Sequence, residues 1–126
     1  MKVELAYPEL SYKLVGLAFK VFNDLGYGRP EKFYQRAYGK LLEIEKISFK
    51  KEQLIPLIYQ NSLIGKYFLD FVVDEKVVIE LKTRPNIGYT HIKQVVGYLK
   101  SGGYGLAILI YFTRDGVKYR RIVNLN

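Results

Sequence analysis

Asp70, Glu80 and Lys82 stand in two apolar runs, YFLDFVV and VVIELK, and that setting singles them out. Residues two apart in a strand share a face. Alternation therefore groups Leu69, Phe71 and Val73 with Val77, Ile79 and Leu81, and puts Phe68, Asp70, Val72, Val78, Glu80 and Lys82 on the other side. Burying three charges on an apolar face without partners is costly. A divalent cation would compensate the two carboxylates, because hard ions such as Mg²⁺ or Mn²⁺ take oxygen ligands and keep several waters. Held against a phosphodiester, such an ion polarises a phosphoryl oxygen and acidifies an attacking water. A lysine two residues beyond a ligand can orient or deprotonate that water, or stabilise developing charge.

The two strands bring the carboxylates together only in one register. Asp70 opposite Glu80 requires Val73 opposite Val77, and so a three-residue turn at Asp74-Glu75-Lys76 with bulge-type geometry. A two-residue turn at Asp74-Glu75 would set Asp70 against Ile79 and separate the acids.

The flanking elements follow from periodicity. Leu10, Leu14, Leu17, Ala18, Val21 and Phe22 predict a helix over 9–25, stopped by Gly26. Pro30 suits the first turn of a second helix over 30–45, with Phe33, Ala37, Leu41 and Ile44 on one stripe. Residues 48–60 and 64–73 read as extended, with Asn61-Ser62 turning between them, and 77–82 as a third strand. A loop with Pro85 leads to a third helix over 91–99, ending at Ser101-Gly102-Gly103. A buried strand at 106–112 and a last strand over 117–123 complete the order α-α-β-β-β-α-β-β, an α/β or α+β layered domain.

Composition narrows the classes. At 126 residues one core and one domain, spanning 1–126, are expected, without internal repeats or linkers. Cysteine is absent, which excludes disulfides, zinc–thiolate sites and thiol nucleophiles, and fits a reducing cytoplasm. No apolar run reaches the ~18 residues of a membrane span, and the start, MKVELAYPEL, lacks the layout of a signal peptide. The net charge of +8 favours a polyanionic partner. Lys32, Arg36, Arg84, Lys93 and Lys100 could track phosphates, whereas Arg114, Lys118, Arg120 and Arg121 form a second basic group. His91, the only histidine, reads as an exposed or helix-capping residue rather than a catalytic one.

Asp70, the strand that follows it and Glu80-Leu81-Lys82 resemble the PD-(D/E)XK nuclease superfamily. Gly28-Arg29-Pro30-Glu31-Lys32-Phe33-Tyr34 is similar to the Gly-x-x-Glu-x-x-Tyr signature of its GxxExxY branch. Gln94-Val95-Val96-Gly97-Tyr98 resembles the Gln-x-x-x-Tyr motif of RecB-like exonucleases. The ordered set spans roughly 17–123; Leu69 stands where the name-giving proline would precede Asp70.

The resemblance implies a restriction-endonuclease-like α/β core, a central mixed sheet flanked by helices. It implies Asp70 and Glu80 as metal ligands with the Leu81 carbonyl, Glu31 as a helix-borne acid at the metal, and Lys82 as the catalytic lysine. Gln94 and Tyr98 would orient substrate or that lysine, and Tyr34, Arg84 and Lys93 would contact substrate. The implied activity is Mg²⁺- or Mn²⁺-dependent hydrolysis of DNA, and small nucleases of this type often act as homodimers. Two readings compete: a nucleic-acid-binding module of the same fold without activity, and a structural, partner-binding subunit. The intact set of Glu31, Asp70, Glu80 and Lys82 favours the enzyme.

Overall fold

Leu14, Leu17, Ala18 and Val21 recur at helical spacing, and the first helix, α1 (Pro8–Leu25), buries that stripe. In the second, α2 (Glu31–Ile44), the buried positions are Tyr34, Tyr38, Gly39 and Leu42. Pro30 sits one residue earlier than expected, as its N-cap, where the missing N–H costs nothing. Both helices come from a computed structural model that describes residues 6–124. Residues 1–5, which the reading of the N-terminus concerns, and 125–126 lie outside the described residues.

Five strands form one sheet in the order β1-β2-β3-β4-β5: β1 (Phe49–Tyr59), β2 (Ser62–Val73), β3 (Val77–Lys82), β4 (Leu106–Thr113) and β5 (Gly116–Val123). The sheet is mixed. β3 and β4 are parallel and need a crossover, which α3 (Tyr89–Gly102) supplies; the other pairs are antiparallel. α1 and α2 pack on one face against Phe71, Val73, Ile79 and Ile108. α3 packs on the other, setting Val95, Tyr98 and Leu99 against Leu69, Val78 and Leu109. Every residue of β4 is buried, as expected of a central strand covered on both faces. Each Leu or Val so enclosed contributes roughly 1.5–3 kcal/mol.

The turns decide the registers. Val73 faces Val77, so the turn is Asp74-Glu75-Lys76, as the acids' meeting requires. Asp74 and Glu75 both take positive φ, at 51° and 57°, and Lys76 N–H closes the turn onto the Val73 carbonyl at 3.0 Å. The β1–β2 turn is Gln60-Asn61 rather than Asn61-Ser62: both residues take positive φ (48° and 63°), and Ser62 pairs with Tyr59. That is the two-residue geometry matching strand twist. α3 begins at Tyr89 and runs to Gly102, longer than 91–99, and ends on Gly103 at φ 73°.

Among the described residues, no helix is long and apolar enough to cross a membrane.

Candidate active site

The antiparallel ladder between β2 and β3 runs Val73↔Val77, Val72↔Val78, Phe71↔Ile79 and stops. On the other side of β2, Lys51 pairs with Phe71 and Gln53 with Leu69, but Glu52, at φ 50°, has no ladder partner at Asp70. Asp70 therefore sits at a break in both ladders, and side-chain alternation inverts there. Leu69 does not share a face with Phe71 and Val73, as simple parity expects; it belongs to the α3-side cluster, while Phe71 and Val73 pack under α1 and α2. Phe68 is turned away from α3 and is exposed.

A buried main chain cannot leave its N–H groups unbonded, and here the carboxylates take them. Glu80 Oε2 accepts from Asp70 N–H at 2.7 Å, and Asp70 Oδ2 accepts from Leu81 N–H at 2.8 Å. The remaining oxygens are bonded too. Tyr67 Oη donates to Glu80 Oε1 at 2.7 Å, and Gln35 Nε2 of α2 donates to Asp70 Oδ1 at 3.2 Å. Glu80 is only 1% exposed, and Asp70 is half-buried. Burial, then the Asp70 charge, pushes the Glu80 carboxyl up to about 7, against bonds from Asp70 N–H and Tyr67 that favour its charged form. Burial also raises Asp70, which Leu81 N–H and Lys82 oppose and Glu31 reinforces.

Among the described residues neither carboxylate makes an ion pair with a cationic side chain. Two adjacent acids, one buried and one half-buried, both raised first by burial and with no ion pair to offset their charge, form a hard-oxygen donor set that fits a divalent cation. Glu31 does not complete a cluster of three: among the described residues, no three His, Cys, Asp or Glu side chains gather into a metal-holding group. Its Oε1 instead accepts from Thr83 N–H at 3.2 Å, which ties the start of α2 to the end of β3.

Two clefts open beside the pair. One, of about 420 Å³, is lined by Tyr67, Lys82, Arg84, His91, Gln94 and Tyr111. The other, of about 240 Å³, brings Lys32, Arg36 and Lys51 to Asp70. The phosphate track expected from sequence is thus divided between the two, with Lys51 added; Lys93 and Lys100 are exposed on α3 and line neither.

The sequence of residues 8–122 matches the family model described as the PD-(D/E)XK nuclease superfamily. The chain belongs to that superfamily. Among solved structures it resembles SSO0001 at 20% identity and a TM-score of 0.55, covering 96% of this chain. It spans 59% of the length of SSO0001. An alkaline exonuclease, LHK-Exo from Laribacter hongkongensis, is a more distant likeness, at 11% identity and a TM-score of 0.45 over 98% of this chain and 72% of that one. No curated protein matches the sequence.

Within this nuclease-family fold the motif residues divide by environment. Gln94 lines the Lys82 cleft and is exposed. Tyr98, one turn on, is buried and stacks on Tyr67 with centroids 4.1 Å apart, so it backs Glu80 through Tyr67 rather than facing a substrate. Tyr34, expected at the substrate, is 1% exposed and lines neither of these two clefts. Its hydroxyl bonds to Gly26 carbonyl and accepts from Arg29 N–H, and its ring stacks on Phe112 at 4.4 Å. It pins the Gly26–Pro30 loop that presents Glu31.

His91 is neither exposed nor a cap. Its Nδ1 bonds with Tyr111 Oη, and burial followed by the Lys82 and Arg84 charges lowers it to about 4. Lys118, placed by sequence in a separate basic group, bonds the Pro85 carbonyl at 3.0 Å and so steadies the loop carrying Arg84. Parity does not single out Tyr67 or Gln35. Tyr67 reaches Glu80 only because alternation inverts at Asp70, and Gln35 lies on α2, whose placement over the sheet no spacing rule gives.

Proposed function

We propose that this chain is a divalent-metal-dependent nuclease that hydrolyses DNA phosphodiester bonds. What carries the reading is the Asp70–Glu80 pair: two interlocked acids, one buried and one half-buried, that form no ion pair among the described residues, in a chain of net charge +8. Asp70, Glu80 and the Leu81 carbonyl would hold Mg²⁺ or Mn²⁺, and Glu31 contributes from α2. When bound, the ion supplies the positive charge that polarises a phosphoryl oxygen and acidifies a water.

The chain's own groups do the rest. Lys82, two residues beyond Glu80 on β3, orients the attacking water and offsets charge developing on the phosphoryl group. Gln94, in the same cleft, orients Lys82 or the substrate. Arg84 on the cleft side and Lys93 on the exposed face of α3 neutralise neighbouring phosphates, with Lys32, Arg36 and Lys51 in the second cleft extending the track. Tyr67 and Gln35 hold the two carboxylates from opposite sides of the sheet.

The test is incubation with single-stranded, duplex and branched DNA, with Mn²⁺, Mg²⁺ or EDTA. Cleavage is expected with a metal, lost in EDTA, and reduced at least roughly a hundredfold in Lys82→Ala protein. Cleavage persisting unchanged in Asp70→Ala or Glu80→Ala protein would overturn the proposal. DNA binding that weakens steeply with salt, without cleavage under any metal, would instead make the chain a binding module.

A further inference from the structure

The cleft beside Lys82 has no acid among its lining residues. Lys82 and Tyr111 are register partners on β3 and β4, so their side chains stand side by side on the α3 face of the sheet. α3 opens beside them: its N-cap Gly88 and then Tyr89, Thr90 and His91 line the cleft, with Gln94 one turn on. No side chain caps this helix, and its first turn holds no acid. With Lys82 and Arg84 in the same wall, the cleft favours an anion.

One buried polar atom in this wall lacks a partner. His91 Nδ1 is bonded to Tyr111 Oη, whereas Nε2 is enclosed and has no hydrogen-bond partner among the described residues. A nitrogen in that state is costly and uncommon. Tyr111 decides which proton it carries. The phenol oxygen accepts from the Gly88 N–H. A hydroxyl has one proton to donate, and a neutral imidazole has one acceptor nitrogen. With Tyr111 donating to Nδ1, both ends of the hydroxyl are used and the imidazole proton stays on Nε2. Burial, then the charges of Lys82 and Arg84, keep the ring neutral.

We propose that His91 is a substrate-contact residue, whose Nε2–H donates to a non-bridging oxygen of a nucleic-acid phosphate in the Lys82 cleft. Tyr111 is its positioning residue and keeps the proton on that nitrogen. The proposal rests on the nuclease reading and adds a substrate contact to the same site. Side chains at a binding surface commonly change rotamer when the partner arrives. An arriving phosphate draws Lys82, Arg84 and Gln94 to itself and uncovers Nε2. A third cation at this point would be repelled by Lys82 and Arg84, whereas a neutral donor meets the anion with a directed hydrogen bond. His91 contributes aim rather than charge.

Because His91 is the only histidine, ¹⁵N-histidine labelling of the whole chain gives the signals of one imidazole. Near neutral pH in EDTA the free protein is expected to carry the proton on Nε2. Saturating DNA, in whichever of the single-stranded, duplex or branched forms binds tightest, should shift the Nε2 signal more than that of Nδ1. This readout needs no variant to fold. By fluorescence anisotropy His91→Ala should weaken DNA binding by about tenfold. His91→Gln, whose amide N–H can reach the same place, should recover most of that loss. Neither should change the salt dependence of binding, because neither removes a charge, whereas Arg84→Ala should reduce its slope by about one. A proton on Nδ1 overturns the proposal and leaves the nuclease reading standing. So does an Nε2 signal unmoved by saturating DNA, or His91→Ala binding within about twofold of wild type. A chain that binds DNA in none of these forms overturns both.

Discussion

Glu80 accepts the main-chain N–H of Asp70, and Asp70 accepts the N–H that follows Glu80, so each acid closes the strand end beside the other. Two like charges are held together where the β2–β3 ladder stops, by the donors that the ladder would otherwise have used. The arrangement is strong as hydrogen bonding and poor as electrostatics. That conflict makes the site testable without any substrate.

Neutralising one acid should keep the hydrogen bonds and remove the repulsion. In Glu80→Gln protein the amide oxygen can accept from Asp70 N–H, while the amide nitrogen donates to a Tyr67 hydroxyl rotated to accept. The metal-free variant is therefore expected to be more stable near neutral pH by about 1 kcal/mol, a rise in Tm of about 3 to 5 °C, although its metal binding is lost. Thermal denaturation in EDTA measures it. A Tm at or below that of the wild type would show that the negative charge itself holds the strands.

The same carboxyl gives this gain a pH dependence. An acid raised in the folded state, from 4.5 to about 7, keeps a proton across that window that the unfolded chain has released. Stability contributed by Glu80 is therefore lost as pH rises from 4.5 through 7, and the loss is complete above it. His91 acts with the opposite sign. Lowered to about 4 from 6.5, it stays neutral in the folded chain where the unfolded chain binds a proton, so its contribution rises with pH over that range. The two slopes partly cancel in the wild type. The difference in Tm between Glu80→Gln and wild type isolates the first: it should be near zero at the acid end of the window and level off above about pH 7. A difference independent of pH would remove Glu80 as its source.

The ease with which the sequence yields most of this fold has a physical reason. Leu14, Leu17, Ala18 and Val21 at helical spacing, and the apolar run 106–112 within β4, announce elements whose burial is set by local pattern. Parity also places the turn at 74–76, because only that length lets Asp70 meet Glu80. What parity cannot show is a ladder break. At Asp70 the strand loses partners on both sides, and Leu69 and Phe68 exchange faces. Tyr67, which alternation alone would put across the sheet from Glu80, thereby becomes its hydrogen-bond donor. Tyr34 departs from its motif reading for a different reason. A motif tells which residue types recur, and here the recurring tyrosine supports the loop before Glu31 from inside the core.

Tyr67 should therefore matter to the metal more than to the fold. Tyr67→Phe keeps the ring stacked on Tyr98 and removes only the hydroxyl that donates to Glu80 Oε1. Losses at supporting residues of this kind are about 10- to 100-fold in metal affinity or activity. The Mn²⁺ concentration for half-maximal binding is expected to rise by about tenfold, with Tm changed little. A Mn²⁺ titration followed by isothermal calorimetry reads this directly. Unchanged affinity with a lowered Tm would make Tyr67 a packing residue only.

Tyr34 is expected to behave in the reverse way. Its hydroxyl donates to Gly26 carbonyl and accepts from Arg29 N–H at 3.2 Å, while its ring lies inside the core against Phe112. Tyr34→Phe keeps the stacking and leaves those two main-chain groups without their partner, which costs about 1 to 3 kcal/mol. The loss should appear in denaturant unfolding as a lower midpoint at constant slope. Tyr34 holds the loop that leads into Glu31 and touches neither the cleft beside Lys82 nor that beside Asp70. The Kd for DNA should therefore stay within about twofold, a change worth under about 1 kcal/mol. A Kd weakened about tenfold at unchanged stability would restore Tyr34 to the substrate surface and require the Gly26–Pro30 loop to open when nucleic acid binds.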